Sequence, residues 1–475
     1  MVSTPAGGVD APRHDEPVST VSSAEIGDGL PSVDEGQWRA LDDVIHSWWD
    51  DDIHHATERE LPSLDARRRQ EIFASVPPAG REKLAEILGT GLSHLFVPFP
   101  FITPGGAEGT FASMFAWDTY FINLGLLVHG RLDLVRDHIR NYLVMIERFG
   151  FMPNACVPDA LTRSQTPVFV DSIWRYYLAS GDRDLLYQAY PLLKREFVNY
   201  WNAAERRTSV GLTTNRDEAD PFLPASLASE AETGLDWTPI YCGDVRDCAP
   251  LITNCALVRY AHTLALIGTE VGLAGEAAGF ADHADTRAEL IRKHCWNDDA
   301  GLFLEYDYVR GEQLPYVSAC AYWPLWAKVA TREQADRLVA NIGLLENRYG
   351  LASTDKSYPD TRSRSIYSIT DGEVAEDATD DSRQLQWMYP AGWAPEQLIV
   401  GDGLVEYGYV DAADRLARRF LAALLREYKH SGKLWEKYNV VDGTIEVPNA
   451  RYGNKLMRGW TAAAAVILGR RVFAS

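Results

Sequence analysis

Apolar residues along most of this chain recur three or four positions apart. In Leu132–Phe149 they fall at Val135, Ile139, Tyr142, Leu143 and Ile146, and Gly150 follows as a stop. In Pro191–Trp201 they fall at Leu193, Phe197, Tyr200 and Trp201, with Pro191 suited to a first helical turn. Leu416, Phe420, Leu424 and Tyr428 make another such stripe. The same spacing predicts helices near 36–49, 80–95, 119–129, 167–180, 251–270, 279–295, 316–328, 331–343, 396–407 and 458–470, roughly a dozen in antiparallel pairs. Strand signals are few. Gly301–Tyr308 alternates and predicts a short strand or hairpin arm. The absence of βαβ alternation, GxGxxG and P-loop patterns disfavours nucleotide-binding α/β folds. The lack of a strict repeat argues against a solenoid of identical units.

Three stretches break the helical pattern, at about 97–118, 206–250 and 345–395. Long irregular segments inside a compact helical domain are usually functional loops or lids. The acidic run Asp371–Asp381 lies in the third. A solvated loop is its better reading than a cation site, because the spacing fits no EF-hand. Residues 1–34 are rich in Ser, Pro, Gly and acids and poor in large apolar groups, which predicts a disordered tail ahead of a single domain at 35–475. This tail shows no secretory signal and the chain shows no apolar run sized for a bilayer, so a cytoplasmic protein is expected.

Composition narrows the partners. The formal net charge of −21 disfavours nucleic acid and anionic membranes. The six cysteines form no CxxC pair and no zinc-like cluster, and no HExxH occurs, so neither a metal nor a cofactor is expected. The 14 tryptophans and 22 tyrosines exceed ordinary packing needs, and aromatic faces stack on the C–H faces of sugars.

Chemistry concentrates in short motifs. Glu232-Thr-Gly-Leu-Asp236-Trp237 and Leu434-Trp435-Glu436-Lys437-Tyr438-Asn439 supply two acidic candidates, Asp236 and Glu436, 436 − 236 = 200 positions apart. A glycosidic bond is cleaved by such a pair, one carboxyl protonating the leaving oxygen and the other activating water or attacking the sugar. A surface ion pair with Lys437 or Lys433 is the plainer reading of Glu436 taken alone. Pro104-Gly-Gly106 leads to Phe111 and then to Phe115-Ala-Trp117-Asp118. The glycines permit a tight turn and close approach to a ligand. Asp118 is either a helix cap or a bidentate acceptor for sugar hydroxyls, and spacing favours the cap. Gln386-Trp387-Met-Tyr-Pro-Ala-Gly392-Trp393-Ala-Pro395 mixes amides with aromatics, as a polyol site does. Asn154 and the run Thr162-Arg163-Ser-Gln165-Thr-Pro167 lie between.

In this order the motifs resemble the trehalase family, glycoside hydrolase family 37, with features of family 63, over about residues 100–465. The resemblance implies an all-α (α/α)6 barrel with long active-site loops. It also implies an inverting, exo-acting mechanism with Asp236 as general acid, kept protonated by burial or neighbouring charge, and Glu436 as general base. It places Phe111, Trp117, Asp118, Asn154, Gln165 and Trp393 around the sugar whose bond is cut, and Arg163 on the wall. Trp237 would add an apolar wall, while Gln386, Trp387 and Trp460 complete the substrate-binding set. The implied partner is a small α-glycoside, with the protein a monomer or small homo-oligomer.

Some family positions differ. The arginine expected after Pro-Gly-Gly and the glutamate before Trp-Asp are absent, and the closing segment reads Lys455-Leu-Met-Arg458-Gly-Trp460-Thr461. These departures concern the second half of the substrate. Trehalose or a trehalose-like solute is the first expectation. An α-glucosyl- or mannosyl-glycerate or another small α-glucoside is the alternative, with Arg163, Arg216, Lys455 or Arg458 as carboxylate partners. A non-catalytic sugar-binding barrel is a third class, disfavoured because binding needs neither Asp236 nor Glu436.

Overall fold

The computed structural model describes residues 29–55, 97–109, 111–157, 160–220, 223–359, 385–447 and 453–473. The expected helix at 80–95, the acidic run Asp371–Asp381 and the tail up to residue 28 lie outside them. Asp34, at the end of the expected tail, caps the first helix by accepting from Gln37 N at 2.7 Å.

Six helices close an inner ring. They are α2 (Ala116–Val128), α4 (Phe169–Ser180), α7 (Leu251–Glu270), α9 (Trp323–Trp326), α11 (Ala394–Glu406) and α13 (Gly459–Phe473), each packed on the next and α13 back on α2. Between them in sequence run α1 (Glu35–Asp51), α3 (Leu132–Phe149), α5 (Arg183–Glu196), α8 (Ala274–Cys295), α10 (Arg332–Ala340) and α12 (Val410–Ser431), an outer layer, while the short α6 (Ala225–Ala231) sits in a loop. This is the (α/α)6 barrel. Its logic is compositional. Helix α12 buries a broad stripe that includes Leu416, Phe420 and Leu424 and leaves Asp411, Arg426, Lys429 and His430 exposed. Inner α7 is buried nearly all round, because neighbours surround it. It is long and apolar enough to cross a bilayer, unlike the expectation of no such run, but it is 78% buried in the fold, and that packing accounts for its composition.

Three local expectations are corrected. Pro191 sits inside α5, which starts eight residues earlier, behind the Asp182 cap. The stripe that suggested Pro191–Trp201 continues into a π-helical turn at Phe197–Trp201. Gly301–Tyr308 is two separate strands, Leu302–Phe303 and Tyr306–Asp307, in different sheets. The expected helix at 316–328 is a 3-10 turn, Ala319–Tyr322, followed by one α-helical turn. Gly150 does end α3, with φ +87 in the left-handed region.

Among the described residues the ring helices alternate with outer ones along the chain, which sends the inner ones in one direction. Every candidate residue therefore falls in a segment that enters an inner helix or in its first turn, and these meet at one end of the ring. Helix N-termini carry partial positive charge, which suits a mouth rich in carboxylates.

Candidate active site

At that end lies a cavity of about 240 Å³, lined by Phe111, Trp117, Asp118, Asn154, Arg163, Gln165, Asp236, Trp237, Trp387, Trp393, Glu436 and Trp460. Twelve of the thirteen candidate residues are there. The thirteenth, Gln386, stands directly behind, donating from Nε2 to Asp236 Oδ2 at 3.1 Å. Phe115, Leu223, Leu227, Glu230 and Met457 also line it.

Two short strands bring the distant motifs together. Ala391–Trp393 pairs antiparallel with Lys437–Asn439, Trp393 opposite Lys437 and Gly392 opposite Tyr438. A Cβ on Gly392 would lie 2.3 Å from Val440 Cγ1 and 2.4 Å from Leu351 O, so only glycine lets these segments meet. Glu436 is then held by its neighbours: its N–H donates to Lys455 O at 2.8 Å, and its carbonyl accepts from Trp460 Nε1 at 3.2 Å.

The tryptophans form one wall. Trp387 and Trp393 stack with centroids 3.9 Å apart, and Trp117 and Trp460 meet them edge-on or tilted at 5.6–6.0 Å. Edge-on and tilted contacts at such distances stabilise aromatic clusters by about 0.5–1.5 kcal/mol per pair beyond burial.

Trp237 has φ +65, a left-handed conformation for a bulky residue. Strain of this kind costs about 1–3 kcal/mol and persists where surroundings hold it. Glu230 holds it here, accepting from Trp237 N and from Thr238 N. Glu230 lies outside the Glu232-Thr-Gly-Leu-Asp236 motif, and nothing in the local sequence marks it. Glu232 itself lies outside the cavity lining. It is fully buried and accepts from Arg206, Asn215, Ser164 N and Arg216 N, tying two loops together. Burial pushes its carboxyl up, but Arg206, Tyr200 and the Ser164 amide outweigh that and bring it below the usual range.

Asp118 is not the helix cap that spacing favoured. The N-cap of α2 is Phe115, and the open Trp117 amide donates to Gln165 Oε1 at 3.1 Å. The cap role falls to a residue 48 positions away, which leaves the Asp118 carboxylate at the cavity. Burial above all, then the charges of Glu436 and Asp236, push its pKa well above the usual range, while its own backbone amide opposes. Asp118 therefore senses both of the other carboxyls. Asn154 lines the cavity while donating to Ser164 O and Ala231 O.

The basic groups suggested for a carboxylate-bearing substrate are engaged elsewhere. Arg163 lines the cavity, but its Nη1 bonds Asp217 Oδ2 at 3.1 Å and Asp220. Arg216 pairs with Glu218 and Arg458 with Asp52, and neither lines the cavity, nor does Lys455. The Pro-Gly-Gly turn likewise approaches Asp52 and Arg458 rather than the cavity, with Gly106 at φ +66 and Ala107 N donating to Asp52 Oδ1 at 2.8 Å. The surface ion pair considered for Glu436 exists in another form. Lys437 Nζ lies 2.8 Å from Glu436 Oε2, with both side chains buried. Among the described residues no group of three or more His, Cys, Asp or Glu has metal-holding geometry.

The molecule is thus a closed (α/α)6 ring whose loops gather three carboxyls against a tryptophan wall. The family model described as Trehalase matches residues 52–222 and 231–469, and the chain belongs to the trehalase family. It is 28% identical over 422 residues to a cytosolic neutral trehalase of Kluyveromyces lactis, covering 76% of this chain and 53% of that protein. It is 27% identical over 448 residues to a periplasmic trehalase of Pseudomonas aeruginosa, covering 81% and 77%. The chain thus spans about half the length of the yeast relative, and its relatives carry both cytosolic and periplasmic names. The neutral trehalase of Saccharomyces cerevisiae shares the fold with a TM-score of 0.71 at 20% identity, covering 92% of this chain and 94% of that one. A family 63 mannosylglycerate hydrolase of Thermus thermophilus shares it at 0.57 and 17%, covering 82% and 99%.

Proposed function

We propose that this chain is an inverting, exo-acting α-glycosidase that hydrolyses a small α-linked glucoside, with trehalose as the first candidate. The observation that carries the reading is the meeting of Asp236 and Glu436 in one tryptophan-walled cavity with Asp118. In this reading Asp236 protonates the glycosidic oxygen, and the C–O bond breaks with its electron pair going to the aglycone. Glu436 takes a proton from the water that adds to the opposite face of the anomeric carbon. Inversion asks for about 6.5–9.5 Å between the two carboxyls, enough for that water. Asp118, Asn154 and Gln165 offer hydrogen bonds to one sugar, and Trp117 and Trp393 offer its walls. A cavity of about 240 Å³, small beside the roughly 300–1,000 Å³ of common ligand clefts, suits a single terminal sugar. The continuous core from Trp38 to Leu468 supports treating 35–475 as one catalytic domain. Six free cysteines support a reducing compartment.

The test is product release from trehalose, kojibiose, maltose, glucosylglycerol, glucosylglycerate and mannosylglycerate, with the anomer of the released sugar followed by NMR. Trehalose cleaved to one β- and one α-glucose is the expected result. Retention of configuration, or no cleavage of any α-glucoside, refutes the reading.

A further inference from the structure

Glu436 and Asp236 are bridged by two buried side chains to which the reaction as written assigns no step. Lys437 Nζ donates to Glu436 Oε2 at 2.8 Å and to Gln386 Oε1 at 3.3 Å, and sits 4.7 Å from the Trp393 ring centroid. Gln386 Nε2 donates to Asp236 Oδ2 at 3.1 Å and to Asp236 O at 3.2 Å. The backbone of Gln386 is clamped as well: its N–H donates to Trp237 O at 2.9 Å and its carbonyl accepts from Trp393 Nε1 at 3.2 Å. Lysine has only donors, so the amide atom facing it is the oxygen, and the nitrogen must then face Asp236. A flipped amide would set two donors against each other at Lys437 and two acceptors against each other at Asp236.

We infer that Gln386 and Lys437 are positioning residues that select the working oxygen of each catalytic carboxyl. Asp236 Oδ1 carries the proton that is donated, because Oδ2 accepts from Gln386. Glu436 Oε1 receives the proton from water, because Oε2 accepts from Lys437. The inference rests on the acid and base assignments proposed above. On turnover the C–O bond breaks toward the leaving oxygen, which takes the Oδ1 proton. The water oxygen bonds the anomeric carbon, and its proton passes to Oε1. Asp236 ends ionised and Glu436 protonated, and one proton exchanged through solvent resets both.

The two halves of the bridge separate by leaving group. An α-glucosyl fluoride needs far less acid assistance than a glucoside with an alcohol leaving group, yet both need the base. Gln386→Leu should lower kcat on the glucoside about 10–100-fold, part of the about 10²–10⁴-fold that a general acid supplies, with KM within about threefold. Its loss on the fluoride should be at least about tenfold smaller. Lys437→Met should lower kcat on both substrates alike, and Lys437→Arg should regain part of it. Should Gln386→Leu fail to fold, Gln386→Asn, which withdraws the amide by one methylene, reads the same ratio. Equal losses on both substrates, or a loss through KM alone, overturn the role of Gln386. A Lys437→Met loss confined to the glucoside overturns that of Lys437. Failure of the underlying reading looks different: Asp236→Ala or Glu436→Ala would then cleave the glucoside at the wild-type rate.

Discussion

Gly234 lies two residues before Asp236, at φ +80, and a Cβ there would meet three ring atoms of Trp117 at 2.9–3.0 Å. Trp117 is 2% exposed and hemmed by Phe121, Trp387 and Trp460, so its ring can yield only toward the cavity it lines. Gly234→Ala therefore has two costs. A non-glycine residue in the left-handed region costs about 1–2 kcal/mol. Overpacking a filled core costs about 1–3 kcal/mol more. The sum is about 2–5 kcal/mol. Gly130 provides the control, since its φ is +71 but nothing lies within 4 Å of its Cβ. Gly130→Ala should show the backbone cost alone. Urea unfolding followed by tryptophan fluorescence measures both, and comparable m values allow midpoints to be compared. Activity should separate them further. A displaced Trp117 would carry the cavity wall with it, and misplacement by about 1 Å can cost about 10²-fold. Gly234→Ala should thus lose at least about tenfold in kcat/KM while Gly130→Ala stays within about twofold. Equal stability losses in the two variants, within about 0.5 kcal/mol, would refute the steric argument.

Other expectations follow from the same geometry. Asp236→Ala and Glu436→Ala should each lose at least about 10²–10⁴-fold in kcat, and Glu436→Ala should also lose stability because it strands the buried Lys437 ammonium; near-normal turnover in either would remove its role. Glu305 is fully buried and accepts from Leu251 N at 2.9 Å, and burial raises its pKa to about 8. Its folded value lies above the unfolded one of about 4.3, so its stabilisation is full below that value and is lost as pH climbs toward 8. Glu305→Gln should flatten the fall in melting temperature between about pH 5 and 8; a profile parallel to wild type would contradict this. Arg163→Met leaves Asp217 and Asp220 without their guanidinium and should destabilise by about 3–5 kcal/mol, measured by denaturant unfolding. A change in substrate KM with stability intact would instead mean that Arg163 serves the ligand directly.

Much of the fold was legible along the chain. Amphipathic stripes such as Leu416, Phe420 and Leu424 mark outer helices, because one face meets the core and the other meets water. Inner helices read less clearly, since a helix buried on all sides loses its polar face, as α7 does. The short strands were invisible or merged. Two-residue pairings such as Ala391–Trp393 with Lys437–Asn439 exist because the ring brings their loops together, not because of local propensity. Pro191 misled for a related reason: packing against α3 and α7 holds a helix through a residue that by itself suggests a start.

Residue types and motif order by themselves determined the catalogue of the site: the carboxyls Asp118, Asp236 and Glu436, the amides and the tryptophans. Their pairing was decided only by the tertiary structure. It gave the cap of α2 to Gln165 and left Asp118 at the cavity, turned Arg163 toward Asp217 and Asp220, placed Glu230 rather than Glu232 at the cavity, and set Gln386 and Lys437 between Asp236 and Glu436. Periodicity and motif order are local properties of a chain. Which buried donor meets which acceptor depends on segments that lie up to hundreds of positions apart, and on which arrangement leaves the fewest of them unsatisfied.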